Sequence, residues 1–300
     1  MRDIGTAIKQ TVKDFMEDGA LQLAAALSFY TLLSLAPLLL LVLRVAGAVW
    51  GRDAVSGQLV SQIQTLVGPQ GAEVTRTILA NAGQEGQGTI ATLVGIATLL
   101  LGATGAFAQL QSALNQIWEV KTRPDLGVWG FIRTRLLSLA MIAGVGFLLL
   151  ASLVVSTALS VVGNTMSHLL PGPAPVWQVI NLAVSLIVVT LLFAMIFKVL
   201  PDVRISWRDV WVGALVTGAL FTLGKLLIGL YLGYSSVGSV YGAAGSLVAL
   251  IVWVYYSSLI VFLGAEFTQV YARRHGTRIQ PSEYAVWTGD QRLAGGMQGA

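Results

Sequence analysis

Four stretches of at least 25 residues contain no Asp, Glu, Lys or Arg: residues 19–43, 86–118, 136–197 and 226–265. About 20 apolar residues in a helix rising 1.5 Å per residue cross the ~30 Å hydrocarbon layer of a bilayer. Every stretch is long enough for a crossing, and the third is long enough for two. Turn residues divide the longer runs: Gly163, Asn164 and Thr165 with the Pro171–Pro175 segment in the third, and Gly233, Ser235, Ser236, Gly238 and Ser239 in the fourth. The pattern predicts six transmembrane helices, near 23–50, 89–112, 136–162, 176–199, 210–233 and 244–271, and so an all-α, polytopic membrane protein.

The segments between these helices have patterns of their own. In residues 1–22, Ile4, Ile8, Val12, Phe15 and Met16 recur at helical spacing opposite Lys9, Lys13 and Asp14. This predicts an amphipathic helix that lies on the membrane surface or packs on the protein's own loops. Residues 51–88 form the sizeable loop on the far side. Leu59, Ile63 and Leu66 mark one short helix, and Val74, Ile78 and Leu79 another, with Gly68–Pro69 between them. They predict a small helical cap over the outer face. The second crossing is expected to run on as one helix from 86 to 118, about 50 Å. The tail, 272–300, becomes small, polar and aperiodic from about Ser282 and is expected to lack fixed structure.

Composition agrees with a bilayer environment. Hydrophobic residues make up 55% of the 300 and charged residues 11%, against about 25% charged in soluble domains. The formal charge of +4 raises nucleic acid as a partner, but the placement of the cations reads as a topology signal. Fourteen of the 18 Lys and Arg residues lie in the N-terminal segment, the 113–135 loop, the 198–209 turn and the tail, whereas Arg52 and Arg76 alone lie on the opposite side. The positive-inside rule then places both termini in the cytoplasm. The N-terminus does not read as a signal peptide, since acidic residues precede its apolar stretch. There are no cysteines, which excludes disulfides and thiolate metal sites.

Three charged residues fall well inside predicted crossings, away from the terminal Lys198, and each is a functional candidate because charge in a bilayer is costly. Arg44 lies about 9 Å from the outer end of the first helix at Trp50, within snorkelling reach. Lys225 is deepest, about 22 Å from Val210 and 14 Å from Tyr234. Glu266 lies about 8 Å from the inner end at Tyr271. With no acid expected at the depth of the two cations, a cavity attracting an anion, such as a phosphate headgroup, is one reading. Pairing of the cations with backbone carbonyls is the other. On the first helix, Tyr30, Ser34, Pro37 and Arg44 share one face, which fits a pathway-lining helix or an ordinary packed one. Gly238, Gly242 and Gly245 have the spacing of a close helix contact or of an unwound, substrate-facing element. No HExxH, phosphate loop or nucleophile elbow is present. Asp202 and Asp209 in one turn are weak grounds for a metal. No catalytic residue, metal or cofactor is expected.

Several ordered motifs resemble the YihY/BrkB family: Ala24 to Pro37 (AAALSFYTLLSLAP), Phe197 to Asp202 (FKVLPD) followed by Ser206 to Trp211 (SWRDVW), Tyr241 to Leu247 (YGAAGSL) and Gly264 to Phe267 (GAEF). The resemblance covers roughly residues 15–271. It implies a six-helix protein of the bacterial inner membrane, of a family associated with envelope integrity, virulence and suspected export or lipid movement. Some members have carried a ribonuclease BN label, but the sequence lacks the His/Asp metal cluster a hydrolytic nuclease needs. The expectation is a transporter or a lipid or anion translocator, with membrane lipids as partners and a homodimer in keeping with only six crossings. A non-transporting envelope scaffold is the alternative.

Overall fold

The computed structural model describes residues 2–80, 100–130, 132–146, 174–234, 245–275 and 279–288. Its elements in chain order are α1 (Arg2–Glu17), α2 (Ala20–Trp50), α3 (Arg52–Val67), α4 (Pro69–Ala80), α5 (Gly105–Ile117), β1 (Val120–Thr122), α6 (Gly127–Gly146), α7 (Ala174–Val199), β2 (Val203–Arg204), α8 (Trp207–Tyr234), α9 (Gly245–His275), β3 (Gln280–Pro281) and β4 (Ala285–Trp287). Among the described residues four helices are long and apolar enough to cross a membrane: α2, α6, α8 and α9. The apolar part of α7, Ala183–Val199, is shorter. The predicted crossings at 89–112 and 136–162 lie partly outside the described residues.

α9 is the central helix, packing on α8, α2, α1, α4 and α5. Its seam with α8 is built from two Gly–Thr pairs set head to tail. A Cβ on Gly213 would lie 2.7 Å from Cβ of Thr268, and one on Gly264 would lie 2.8 Å from Cβ of Thr217. Both threonine hydroxyls bond back into their own helices, Thr217 Oγ1 to Gly213 O at 2.7 Å and Thr268 Oγ1 to Gly264 O at 2.6 Å. Held in this rotamer, each threonine turns its Oγ1 and Cβ into the space that the bare glycine opposite leaves. Small residues of this kind let backbones approach closely where lipid gives no hydrophobic drive. Beyond the seam, Phe193 of α7, Phe221 of α8 and Trp253 of α9 form an edge-on aromatic row, with centroids 5.5 and 6.1 Å apart.

Three expectations are corrected. First, α3 and α4 are not only a cap. They pack on α2 and α9, and Ile63, Gly71 and Thr75 line a small apolar cavity of about 150 Å³ with Ser28 and Leu35 of α2 and Val254 of α9. Leu35 is 15 residues from Trp50, so the hairpin reaches about 22 Å down α2, to its midpoint. Second, the helix expected to run unbroken to 118 is interrupted at Thr104. Thr104 Oγ1 bonds back to Leu100 O, and the N–H of Ala106 turns to Ser34 Oγ of α2 at 3.0 Å. Third, the tail is folded as far as Thr288. β4 pairs antiparallel with β1, β3 with β2, and Trp287 packs against the core. Strands of two and three residues are too short to show an alternating pattern in sequence.

α1 is a helix as expected, but its buried positions are Ala7 and Thr11, with Phe15 packed on the core, while Ile8, Val12 and Met16 form an exposed apolar row. It meets α2 at a tight junction where Gly19 takes the left-handed conformation, φ +66°.

Candidate functional site

The six candidate residues do not gather in one place. Ser34 and Pro37 sit in a packing seam: a Cβ on Gly102 would lie 2.7 Å from Pro37 Cγ, and one on Gly105 2.9 Å from Ser34 Oγ. Tyr30, beside them, is 43% exposed. Arg44 is partly buried. Lys225 stands on the outward side of α8 with the exposed Leu223, Leu226 and Leu227. Gly245 is buried at the start of α9, while Gly238 and Gly242 lie outside the described residues. Glu266 is the candidate that anchors a chemically unusual environment.

Glu266 is fully buried, and neither of its oxygens has a hydrogen bond of normal geometry among the described residues. The ionisable group that acts on it most strongly is Asp18, in the α1–α2 junction. Burial raises the Asp18 carboxyl above its ordinary pKa. The facing Glu266 carboxyl lowers it, Glu119 and Asp14 raise it further by like charge, and Arg273 partly offsets them. Arg273 is already engaged by Glu119, 2.5 Å away. Glu119 itself has φ +55°, an uncommon conformation for a residue with a side chain.

Asp18 and Glu119 line a cavity of about 690 Å³ between the α1–α2 junction, α5, β1 and α6. The rest of its wall is mostly polar, with Gln111, Ser112, Asn115, Gln116, Lys121, Thr122, Thr134 and Thr288 beside the apolar Ala108 and Val120. Gln116 Nε2 donates to Asp18 O at 2.9 Å, tying α5 to the junction.

Beneath the cavity lies a buried network that the sequence did not reveal. Asp202, 3% exposed, accepts from Arg133 Nη1 at 2.8 Å, Asn115 Nδ2 at 3.0 Å and Gln111 Nε2 at 3.3 Å. Its own N–H donates to Asn115 Oδ1 at 2.8 Å, and its carbonyl accepts from Ser282 N at 2.9 Å. Arg133 also lies 4.0 Å from the centroid of the Tyr284 ring. A buried charge survives when it is paired and its remaining lone pairs are filled, and Asp202 meets both conditions. It joins α5, α6, the α7–α8 turn and the tail. The one signal available beforehand was the pair Gln111 and Asn115, four residues apart among the polar positions of α5.

A bundle of long apolar helices, one end closed by short strands and holding a polar cavity over a buried carboxyl, is the architecture of a polytopic membrane protein. The chain belongs to the family described as Virulence factor BrkB, whose model matches residues 11–286. Its relatives include a UPF0761 membrane protein of Alkalilimnicola ehrlichii, 29% identical over 86% of this chain and 56% of its own length. A UPF0761 membrane protein of Photobacterium profundum is 31% identical over 87% of this chain and 79% of its own length, and one of Stenotrophomonas maltophilia is 29% identical over 90% and 61%. The chain thus spans little more than half the length of several curated relatives it matches. No solved structure matches it.

Proposed function

We propose that this is a six-span protein of the bacterial inner membrane, with both termini cytoplasmic, that moves a lipid or small charged solute through a pathway opening at the 690 Å³ cavity. The observation that carries this reading is the buried, unbonded Glu266 behind a polar cavity at one end of a membrane helix. Ionisable groups inside membrane bundles are costly, and many mark substrate or ion pathways. Orientation is supported by the company the cavity keeps. The Lys- and Arg-bearing segments around β1, β2 and the tail are tied to this end by the two small ladders, and cations favour the cytoplasmic side. The uncharged residues 86–118 and 136–197 supply the second and third crossings in this reading. Membrane lipid is the natural partner of the exposed apolar row on α1.

A scaffold role is favoured by a different observation, the close α8–α9 seam, which makes the core of the bundle rigid. Reconstitution separates the two. Liposomes containing the full chain and a fluorescent phospholipid should show headgroup movement between leaflets, and Glu266→Gln should slow it by about tenfold or more. Absence of movement with the wild-type chain, together with specific membrane-protein crosslinks, would establish the scaffold instead.

A further inference from the structure

We infer that the α7–α8 turn and the start of α8 bind an anionic phospholipid, its phosphate among Lys198, Arg204 and Arg208 and its acyl chains along Trp211 and Leu215. This draws on neither the polar cavity nor the transport reading. In sequence the segment 198–209 is mixed, with Lys198, Arg204 and Arg208 against Asp202 and Asp209. Folding separates the signs. Both aspartates are buried, and Asp202 is engaged by Arg133. Arg204 and Arg208 are exposed, and their guanidinium groups make no hydrogen bond or ion pair among the described residues. Lys198 Nζ donates to Ile205 O and lies 5.4 Å from the centroid of the Trp207 ring, which fixes a third cation at the turn. Glu283, an exposed acid on the adjoining tail, pairs with none of the three. The surface of the turn is therefore cationic, although its sequence is nearly balanced.

An apolar face adjoins these cations. Trp207, Trp211 and Leu215 of α8 are exposed, as is Val199 at the end of α7. At 3.6 residues per turn, Trp207, Trp211, Leu215 and Arg208 fall within about 100° of the helix circumference. Leu215 lies about 12 Å along the axis from Trp207. Going into the bilayer, α8 thus presents a guanidinium and an indole, then a second indole, then a leucine. That is the order of a leaflet from headgroup to acyl chain, and indoles collect at the interface between the two. A soluble anion would satisfy the cations but leave Trp211 and Leu215 uncovered. A neutral lipid would cover the apolar face but leave the cations without a counter-charge. An anionic phospholipid meets both requirements, and basic clusters at the ends of membrane helices recognise such headgroups.

The test uses the full chain in neutral detergent, with phosphatidylglycerol and phosphatidylcholine of matched chains added in equal amounts and bound lipid read by native mass spectrometry. Phosphatidylglycerol should be retained in preference. Combining Arg204→Gln with Arg208→Gln should reduce its retention about twentyfold, at roughly fivefold per cation, and leave phosphatidylcholine unchanged. Combining Arg204→Lys with Arg208→Lys keeps both charges and should preserve most of the preference, which guards against a folding defect. Millimolar glycerol 3-phosphate should not displace the lipid. Equal retention of the two lipids, or a preference that survives the glutamine pair, would overturn the proposal. Displacement by glycerol 3-phosphate would overturn it in favour of a soluble phosphate. A dimer that the glutamine pair dissociates would overturn it in favour of a second copy of the chain on this face.

Discussion

At Gly264 the space for a side chain is taken by Thr217, and the same holds for Gly213 and Thr268. An alanine gains about 1 kcal/mol of helix propensity over glycine, but overpacking a tight seam costs about 1–3 kcal/mol. Because Thr217 Oγ1, the nearest obstructing atom, is bonded to Gly213 O and Thr217 Cβ stands only 2.8 Å away, the threonine has little room to give, and strain should win. Gly264→Ala should lower the unfolding temperature in detergent, and adding Thr217→Ala should recover much of the loss. Asp18 makes the other residue-level prediction. Its folded pKa is raised, so its contribution to stability is complete below the unfolded value and declines as pH rises through the folded one. The ligand-free chain should therefore lose stability across that window, and Asp18→Asn should flatten that part of the profile.

Among the elements, the α3–α4 hairpin and the tail are the ones whose placement changes the picture. The hairpin lies against the midpoint of α2, with Thr75 fully buried and Gly57 exposed. Since the chain has no cysteine, single replacements are clean probes. Cysteine at position 57 should react with a membrane-impermeant maleimide added outside, and cysteine at 75 should not. Equal labelling of the two would show the hairpin standing off the bundle. The tail depends on Asp202. Asp202→Ala removes the partner of a largely buried guanidinium, which costs about 3–5 kcal/mol in such settings, and also frees Gln111 and Asn115. A lower unfolding temperature is expected, with faster proteolysis after residue 279 as the strands detach. The hairpin had a legible trace, since residues 54–72 carry no charge, but an apolar helical stripe does not name the surface that covers it. The tail had none, because backbone pairing of two or three residues writes no periodicity into side chains.

For the molecule as a whole, the long helices were readable because the bilayer imposes a length and a polarity that any sequence crossing it must show. Uncharged runs located α2, α7, α8 and α9 to within a few residues at most ends, the longest misses being at the ends of α2, α8 and α9. The buried acid at Glu266 was also visible, since a charge in such a run stands out. Its partner was not. Asp18 sits in a junction flanked by other acids, where nothing local separates a half-buried carboxyl from a solvated one. The same is true of Asp202, which reads as a surface turn residue until four segments distant in sequence close around it. Chain chemistry alone therefore determined that this is a helical membrane protein of the BrkB family and, to within a few residues, where α2, α7, α8 and α9 run, whereas α6 begins at Gly127, nine residues before the expected crossing at 136. Only the tertiary structure decided which small residues form the seam, where the hairpin goes and which carboxyls meet. Those outcomes depend on which faces are brought together across a hundred or more residues, and a one-dimensional pattern records the faces without their partners.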